Sequence, residues 1–326
     1  MYGFWAKLNK PIMAMAPLSG GTDAAFRPII ARYGKPDILF TEFVSCVGLC
    51  SPGRAKLLPD LWYSEIERPI VAQIFGPHPD AFLQTAQLIV ELGFDGIDIN
   101  AGCPDKSVEK QGAGAALIKD PQRMLQIMRA TREGAGNLPV SVKTRLGYDR
   151  VIIEEWLDCL LGEKPAAVTI HARTRNELSK VPARWDAIGR AVEFAKGRGT
   201  KTLILGNGDV NTLSEAQRLA AATGVDGVMI GRGIFGNPWL FNPDVDVSEV
   251  SAEERLRVMM EHTRRFETTF SSLKNFAVMR RHFKAYVAGL DDAKALRVQL
   301  MKTQNADDVE TIINRYLIEQ EQPALL

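Results

Sequence analysis

The chain has 326 residues, about twice the length of a typical domain, so it forms either one large domain or a domain with an appendage. Its composition, 46% hydrophobic and 24% charged with 27 Gly and 17 Pro, is that of a globular protein and excludes disordered, collagen-like and coiled-coil chains. The 40 Lys and Arg nearly balance the 39 Asp and Glu, for a net charge of +1. A polyanionic partner would therefore have to bind a local basic patch.

Four cysteines, Cys46, Cys50, Cys103 and Cys159, are too few for a disulfide framework, and they lack the paired spacing of a zinc site. We therefore expect a reducing compartment and no structural metal. The amino terminus has no apolar core of a signal peptide, and no stretch approaches 18 continuous apolar residues. We expect a cytoplasmic protein without membrane contact.

Short apolar runs alternate with amphipathic helical stretches, as expected of βα units. Eight runs are predicted as strands: 12–17, 37–43, 69–75, 96–102, 139–145, 166–172, 202–209 and 227–233. Helices are predicted over 79–92, 120–133, 185–197 and 213–223, with starts marked by Asp120-Pro121 and Thr212. Eight such units predict an α/β fold, a (β/α)8 TIM barrel, rather than a doubly wound sheet.

The alternation stops after Pro238, where a polar, turn-like segment at 242–250 leads into purely helical periodicity from Ala252 to Ile318. This change predicts a C-terminal all-helical domain after the barrel. The expected boundaries are 1–243 for a catalytic barrel domain and 244–326 for the helical domain.

The active site of such a barrel lies at the carboxyl ends of its strands. Here those ends are polar, with Glu42, Gln73, Asn100, Lys143, Arg145, His171 and Arg173 at or near them. One polar residue at a strand end can serve solubility, but convergence of so many indicates a site.

The last two predicted strands end in glycine-rich loops, Gly206-Asn207-Gly208-Asp209 and Gly231-Arg232-Gly233. Glycines let main-chain N–H groups approach phosphate oxygens, and an adjacent arginine adds a forked charge. Although either loop alone could simply turn a tight corner, the two together favour a phosphorylated ligand.

Cys103 lies between Gly102 and Pro104, just past a strand end. Most lone cysteines are inert buried residues, but this position favours chemistry. Because a thiol with an ordinary pKa of about 8.5 is mostly protonated at neutral pH, Cys103 could act as a general acid. A nucleophilic role assisted by His171 stays open at this point.

These residues belong to segments that closely resemble the flavin-dependent tRNA-dihydrouridine synthases of bacterial type, through essentially the whole predicted barrel. The cysteine loop is the most specific part. The matching segments are APLSGGTDAAFR (16–27), TEFVS (41–45), Gln73, DINAGCPDKSVEKQGAGAAL (98–117), VKTRLG (142–147), IHARTR (170–175), GNGD (206–209) and MIGRGIFGNPWLF (229–241).

The resemblance implies FMN bound over the barrel mouth and reduced by NADPH. It implies that a hydride then passes to C6 of a tRNA uridine while Cys103 delivers a proton to C5, and that Asn100, Arg145 and Arg173 grip the base and a neighbouring phosphate. A lysine cation near the flavin ring would stabilise its reduced anion. The implied FMN contacts are Pro17, Leu18, Gln73, Lys143, His171, Asn207, Gly208, Asp209, Gly231 and Arg232.

Two segments depart from the usual pattern of this family. Leu18 and Gly21 replace residues more common in the first loop, which a main-chain contact tolerates. The stretch LSKVPARWD (178–186) stands where many relatives carry a glycine-rich piece, which leaves substrate choice more open.

The predicted helical domain carries the basic patch that an RNA partner requires. From Arg255 to Lys302 there are eleven Lys and Arg against four acids. Arg280, Arg281 and Lys284 fall within about one helical turn, so one face can pack while the other binds phosphates. We expect these three residues to bind tRNA outside the barrel that holds the cofactor, in a monomeric protein.

Two alternatives remain at this stage. One is an FMN barrel oxidoreductase of a small molecule, like dihydroorotate dehydrogenase, whose substrate needs no basic domain. The other is an RNA-binding barrel without catalysis, which would not be expected to keep Cys103, Lys143 and both phosphate loops. The uridine position, activity on rRNA and the choice of NADPH over NADH are open.

Overall fold

The architecture comes from a computed structural model that describes residues 2–321; residue 1 and residues 322–326, at the outer ends of the two expected domains, lie outside the described residues. Its strands are β1 (Ile12–Met15), β2 (Leu39–Phe40), β3 (Val44–Ser45), β4 (Ile70–Phe75), β5 (Gly96–Asn100), β6 (Val140–Arg145), β7 (Ala167–His171), β8 (Leu203–Asn207) and β9 (Gly227–Ile230). They pair in parallel in the order β1-β9-β8-β7-β6-β5-β4-β2, and β3 also pairs with β4.

Closure of the sheet makes it a barrel. Met15 N donates to the Ile38 carbonyl at 3.0 Å, and Asp37 N donates to the Met13 carbonyl at 2.8 Å, which joins β1 to the chain entering β2. The predicted (β/α)8 barrel is thereby confirmed.

The predicted strand at 37–43 is interrupted in the structure. Within this segment, β2 and the short β3 pair with β4, and residues 41–43 lie between them. The Thr41 hydroxyl accepts from the Gln73 amide at 3.1 Å and so replaces a carbonyl in the ladder. The break turns the following residues toward the barrel mouth.

Four helices match the predicted ranges: α4 (Pro79–Glu91), α6 (Pro121–Ala135), α8 (Trp185–Gly197) and α9 (Leu213–Thr223). Asp120 caps α6 by accepting from Arg123 N at 3.0 Å, and Thr212 caps α9 by accepting from Glu215 N at 3.1 Å. The helices are α1 (Phe26–Tyr33), α2 (Cys46–Leu49), α3 (Arg54–Leu57), α4 (Pro79–Glu91), α5 (Lys106–Glu109), α6 (Pro121–Ala135), α7 (Ile153–Gly162), α8 (Trp185–Gly197), α9 (Leu213–Thr223), α10 (Ala252–Phe270), α11 (Arg280–Tyr286), α12 (Ala293–Leu300) and α13 (Ala306–Glu321).

Polar residues of neighbouring strands occupy common levels of the barrel. Residues paired in register on parallel strands point the same way, so their side chains meet inside the barrel. The pairs are Gln73 with Asp98, Asp98 with Ser141, Asn100 with Lys143, Arg145 with His171, and His171 with Asn207. The sheet register itself therefore assembles the predicted site residues.

The helices α10–α13 form the predicted all-helical domain and pack against the outside of the barrel. Their buried core continues onto Ala25 and Ile29 at α1 and onto Trp239. The Phe26 ring lies 4.9 Å from the His262 ring and 4.7 Å from the His282 ring. This apolar junction fixes the helical domain beside the barrel mouth. No helix within residues 2–321 is long and apolar enough to cross a membrane.

Candidate active site

A cavity of about 340 Å³ opens at the carboxyl ends of the strands. Most of the predicted site residues line it, including both glycine loops and the strand-end cations. The lining residues predicted from the sequence are Pro17, Leu18, Lys143, Arg145, His171, Arg173, Asn207, Gly208, Asp209, Gly231 and Arg232.

A larger depression, of about 700 Å³, lies on α10 and α13. Its Arg264 is already paired with Glu310 at 2.7 Å and with Glu267 at 3.3 Å. Because this depression contains no strand-end residue and its Arg264 is already paired, the barrel mouth is the better candidate for chemistry.

Asp209 organises two arginines at one end of the barrel cavity. Its carboxylate accepts from the Ala183 amide at 3.0 Å, pairs with Arg173 and lies 3.1 Å from Arg232. Although burial opposes ionisation, the hydrogen bonds from Arg173 and Ala183 hold the pKa of Asp209 below its usual range. The Asp209 main chain has a φ of 52° and that of Gly208 a φ of 132°, which explains the glycine.

The polar groups of this end fit a ligand with phosphate and hydroxyl oxygens. His171 Nδ1 and Arg173 Nη1 are buried and have no partner among residues 2–321. An unpartnered buried donor is costly, so a ligand that accepts hydrogen bonds would stabilise this arrangement. The residues present thus fit the FMN that the resemblance implies.

The cations of the cavity lower one another's proton affinity. Burial, and then the neighbouring Arg145, lower the pKa of Lys143 to about 8. Burial, followed by the charges of Lys143, Arg145, Arg173 and Arg232, holds the pKa of His171 well below its usual range. The imidazole is therefore neutral at physiological pH, while Lys143 remains largely a cation.

Two predicted residues lie beneath the cavity and not in its wall. Gln73 is fully buried and Asn100 is 5% exposed, and each makes internal hydrogen bonds. Arg145 also uses part of its guanidinium internally, with Nε donating to the Gly102 carbonyl at 2.7 Å and Nη1 donating to the Thr174 carbonyl at 3.1 Å. Gln73, Asn100 and Arg145 thus hydrogen-bond to the residues that surround the cavity.

Cys103 follows β5 at the edge of the cavity, next to the lining residue Pro104. Its carbonyl accepts from Ala115 N at 2.9 Å, which folds the glycine-rich loop back onto it. A Cβ at Gly114, whose φ is 61°, would lie 2.7 Å from that carbonyl, so this close approach requires glycine. Burial raises the pKa of the Cys103 thiol, which keeps it protonated at neutral pH.

The predicted basic residues of the helical domain occupy different environments. Arg281 Nη1 donates to the Ser19 carbonyl at 2.6 Å, at the cavity rim. Lys284 is exposed, and Arg280 is half-buried. All three residues lie on α11, outside the barrel, but Arg281 contacts the first barrel loop directly.

Lys274 and Glu42 form a second polar contact between the helical domain and the barrel, an ion pair that the sequence did not reveal. Lys274 Nζ lies 3.3 Å from Glu42 and 2.8 Å from Asp60, and Glu42 also accepts from the Gly20 amide. Burial raises the pKa of Glu42, against the lowering effect of Lys274. The sequence identified Glu42 as a polar residue near a strand end, but no sequence signal paired it with Lys274. Lys274 was counted in the basic patch, yet Glu42 and Asp60 neutralise its charge.

Known proteins resemble this chain along nearly its full length. The model of the family described as dihydrouridine synthase matches residues 14–321. The chain belongs to the dihydrouridine synthase family. A probable tRNA-dihydrouridine synthase of Staphylococcus aureus is 39% identical over 318 residues, covering 96% of this chain and 95% of that protein. Probable tRNA-dihydrouridine synthase 2 of Bacillus subtilis is 38% identical over 316 residues, covering 96% of each.

Solved structures of more distant proteins share the barrel. Histamine dehydrogenase from Rhizobium sp. 4-9 superposes with a TM-score of 0.52 at 12% identity, over 78% of this chain and 48% of that one. 2-Naphthoyl-CoA reductase superposes with a TM-score of 0.53 at 13% identity, over 74% and 52%. At such identities the likeness concerns the fold alone.

Proposed function

We propose that this protein reduces specific uridines of tRNA to 5,6-dihydrouridine, with FMN as cofactor and NADPH as reductant. The observation that carries the proposal is the strand-end cavity, where Cys103 lies beside a wall of cations and unpartnered donors. In this proposal residues 1–243 form the catalytic domain and residues 244–326 the RNA-binding domain of a cytoplasmic monomer.

The FMN phosphate is proposed to bind at the end organised by Asp209. Arg232 supplies the forked charge, His171 supplies a donor, and the main chains of Gly208 and Gly231 allow close approach. Further contacts are assigned to Asn207 and, through the main chain, to Pro17 and Leu18.

The flavin ring is proposed to lie toward Lys143 and Gln73. Bound FMN would supply the hydride that reduces C6 of the uracil. Lys143, as a cation, would stabilise negative charge on the ring, and neutral His171 can donate one hydrogen bond without adding charge. The fixed positions of these groups mean that little reorganisation accompanies the reaction.

Cys103 is proposed as the general acid that protonates C5. Its thiol is half-buried, its pKa is raised, and it lies at the cavity edge where an everted base would enter. Arg145 and Arg173 are proposed to grip the base and a neighbouring phosphate, and Asn100 to hold the cysteine turn. Arg280, Arg281 and Lys284 are proposed to contact phosphates of the same tRNA.

The test is to map dihydrouridine in tRNA from cells that lack this protein. One or more uridines should lose the modification and regain it when the parent chain is supplied, but not when the Cys103→Ala chain is supplied. An unchanged map would contradict the proposed substrate. Retention of FMN with turnover of a small molecule instead would favour the small-molecule alternative.

A further inference from the structure

Asp98 lies inside the barrel at the middle of β5 and is 1% exposed. Its Oδ2 accepts from Gln73 Nε2 at 2.6 Å, and its Oδ1 accepts from the Ser141 hydroxyl at 2.5 Å. Both donors are its register partners on the adjacent strands. Each oxygen of this buried carboxylate therefore has a hydrogen-bond donor. Packing alone does not require a carboxylate here, whereas a role in the neighbouring site would account for it.

The chain of hydrogen bonds continues from Gln73 to the cysteine turn. Asn100 Nδ2 donates to Gln73 Oε1 at 3.0 Å. Asn100 Oδ1 accepts from the main-chain amides of Gly102 at 3.1 Å and Cys103 at 2.9 Å. Asp98 is thus connected to the main chain of Gly102 and Cys103 through the side-chain amides of Gln73 and Asn100.

The direction of this chain is fixed at its far end. Main-chain N–H groups can only donate, so Asn100 must present its oxygen to them and its NH2 group to Gln73. Gln73 must then present its own oxygen to Asn100 and its NH2 group to the opposite side. Only an acceptor completes that side, and Asp98 is the acceptor present.

We infer that Asp98 is a positioning residue, which sets the amide orientation of Gln73 and Asn100 and so holds the flavin-facing amide and the cysteine turn in one arrangement. The inference rests on the proposed function, since that function places Gln73 at the flavin.

The orientation depends on an acceptor at this position and not on its charge. In Asp98→Asn, the Oδ1 of Asn can accept from Gln73 while its Nδ2 donates to the Ser141 oxygen. The Ser141 hydroxyl can then turn to the Ile97 carbonyl, already 3.4 Å away. Asp98→Leu offers no acceptor and leaves the Gln73 NH2 group without a partner. Comparison of the two variants therefore separates the effect of losing the hydrogen-bond acceptor from the effect of losing the negative charge.

The experiment measures FMN affinity of the apoprotein by fluorescence quenching, with the visible circular dichroism of the bound flavin as a second readout. Asp98→Asn should bind FMN within about threefold of the parent, with an unchanged flavin spectrum. Asp98→Leu should bind at least about tenfold more weakly, with a changed spectrum, as expected when a buried donor is left unpaired beside the ligand. Asp95→Asn, at the base of the same strand, is the matched control and should match the parent.

Equal FMN binding and equal spectra for Asp98→Leu and the parent would overturn the inference. Equal losses for Asp98→Asn and Asp98→Leu would also overturn it, because charge would then be the determinant. A parent chain that binds no FMN would instead contradict the proposed function.

A second pair of variants keeps the test independent of the folding of Asp98→Leu. Gln73→Glu places two carboxylates face to face and should lower the unfolding midpoint in urea. Adding Asp98→Asn restores a donor opposite an acceptor and should recover most of that loss. Failure of the double variant to recover would contradict the assigned polarity.

Discussion

Arg281 of α11 donates from Nη1 to the main-chain oxygen of Ser19, 2.6 Å away, so the helical domain contacts the first loop of the barrel mouth directly. Ser19 lines the cavity together with Pro17 and Leu18. The guanidinium also lies 3.1 Å from where a side chain at Gly20 would begin, so it covers this loop closely. The proposed RNA-binding surface and the proposed flavin cavity are thus joined by a direct hydrogen bond.

Arg281→Gln should weaken FMN binding about two- to fivefold, because a partly exposed charged hydrogen bond contributes about 1 kcal/mol to holding the Pro17–Ser19 loop. Fluorescence titration of the apoprotein measures the change. Lys284→Gln, about one turn further along α11, is the matched control and should leave FMN affinity as in the parent. Equal affinities for both variants would show that the loop holds its shape without Arg281.

Arg232→Ala should weaken FMN binding roughly five- to thirtyfold, since it removes a charged, forked contact to the phosphate. The loss is moderated because the Arg232 side chain is 66% exposed. Asp209 keeps Arg173 as its partner in this variant, so the loop should stay folded. Arg218→Ala, at an exposed arginine of α9, is the control; an equal effect of both substitutions would move the phosphate away from this loop.

The positions of the cavity residues follow from the sequence because strand periodicity and barrel topology determine them. Lys143, His171 and Arg232 had to meet once eight parallel strands closed, since their runs end at the same rim. The glycine loops were likewise recognisable from local chemistry.

The supporting contacts were not predictable, because they depend on distances between segments far apart in the chain. Asp98 looked like one polar residue in an apolar strand, and only the register shows Gln73 and Ser141 on either side of it. The Lys274 bridge to Glu42 spans two domains, and their docking is set by apolar packing around Phe26 that no short motif encodes.

Cys103→Ala should leave reduction of the flavin by NADPH unchanged and slow reduction of uridine in RNA by about 10²- to 10⁴-fold, the usual contribution of a positioned general acid. Stopped-flow absorbance separates the two half-reactions. Cys159→Ala, at another half-buried cysteine, is the control. Losses of equal size in both half-reactions would mean that Cys103 supports the flavin site instead.

The same thiol predicts a pH profile for the RNA step. Because burial raises the pKa of Cys103 above the ordinary thiol range, the protonated form persists through neutral pH. Titration of Cys103 should therefore lower the rate only above about pH 8.5, whereas loss of the Lys143 cation, with a pKa of about 8, should lower it earlier. The pH dependence of Cys103 alkylation reports the thiol alone, and fast alkylation already at pH 7 would indicate a thiolate and a nucleophilic role.

Stability should fall at mildly acidic pH because of the buried pair His262 and His282. Burial lowers the pKa of both, that of His282 to about 4. Above pH 6.5 both are neutral whether the chain is folded or unfolded, so they contribute no pH dependence. Between pH 6.5 and 4 only the unfolded chain binds these protons, which lowers the unfolding free energy by up to about 1.4 kcal/mol per pH unit and histidine.

Urea unfolding at pH 6.5 and pH 4.5 measures this effect. His282→Phe should flatten the fall by about one proton, since the phenyl ring can occupy the site beside Phe26 without titrating. His78→Gln, at an exposed histidine, is the matched control. Identical slopes for the parent and His282→Phe would show that this imidazole does not control acid stability.

The salt dependence of RNA binding tests the helical surface apart from the flavin cavity. Arg280 and Lys284 are suited to this test because neither is among the residues that line the cavity, and neither forms an ion pair within residues 2–321. The double variant Arg280→Gln/Lys284→Gln should reduce tRNA affinity and lower the slope of log K against log salt by about 0.7 to 0.9 for each lost phosphate contact.

NADPH oxidation with a non-physiological electron acceptor should continue at the parental rate in this double variant, because Arg281 and its bond to Ser19 remain. Lys196→Gln/Arg198→Gln at the end of α8 is the control for charge, since it removes two cations from the opposite end of the barrel, where they pair with Glu193 and Asp158. If the α11 double variant kept the parental slope and affinity, these two residues would only be solvated. Each double variant removes two positive charges, but only the α11 pair lies beside the barrel mouth. If both variants lowered the salt slope equally, RNA binding would reflect net charge and not a defined surface.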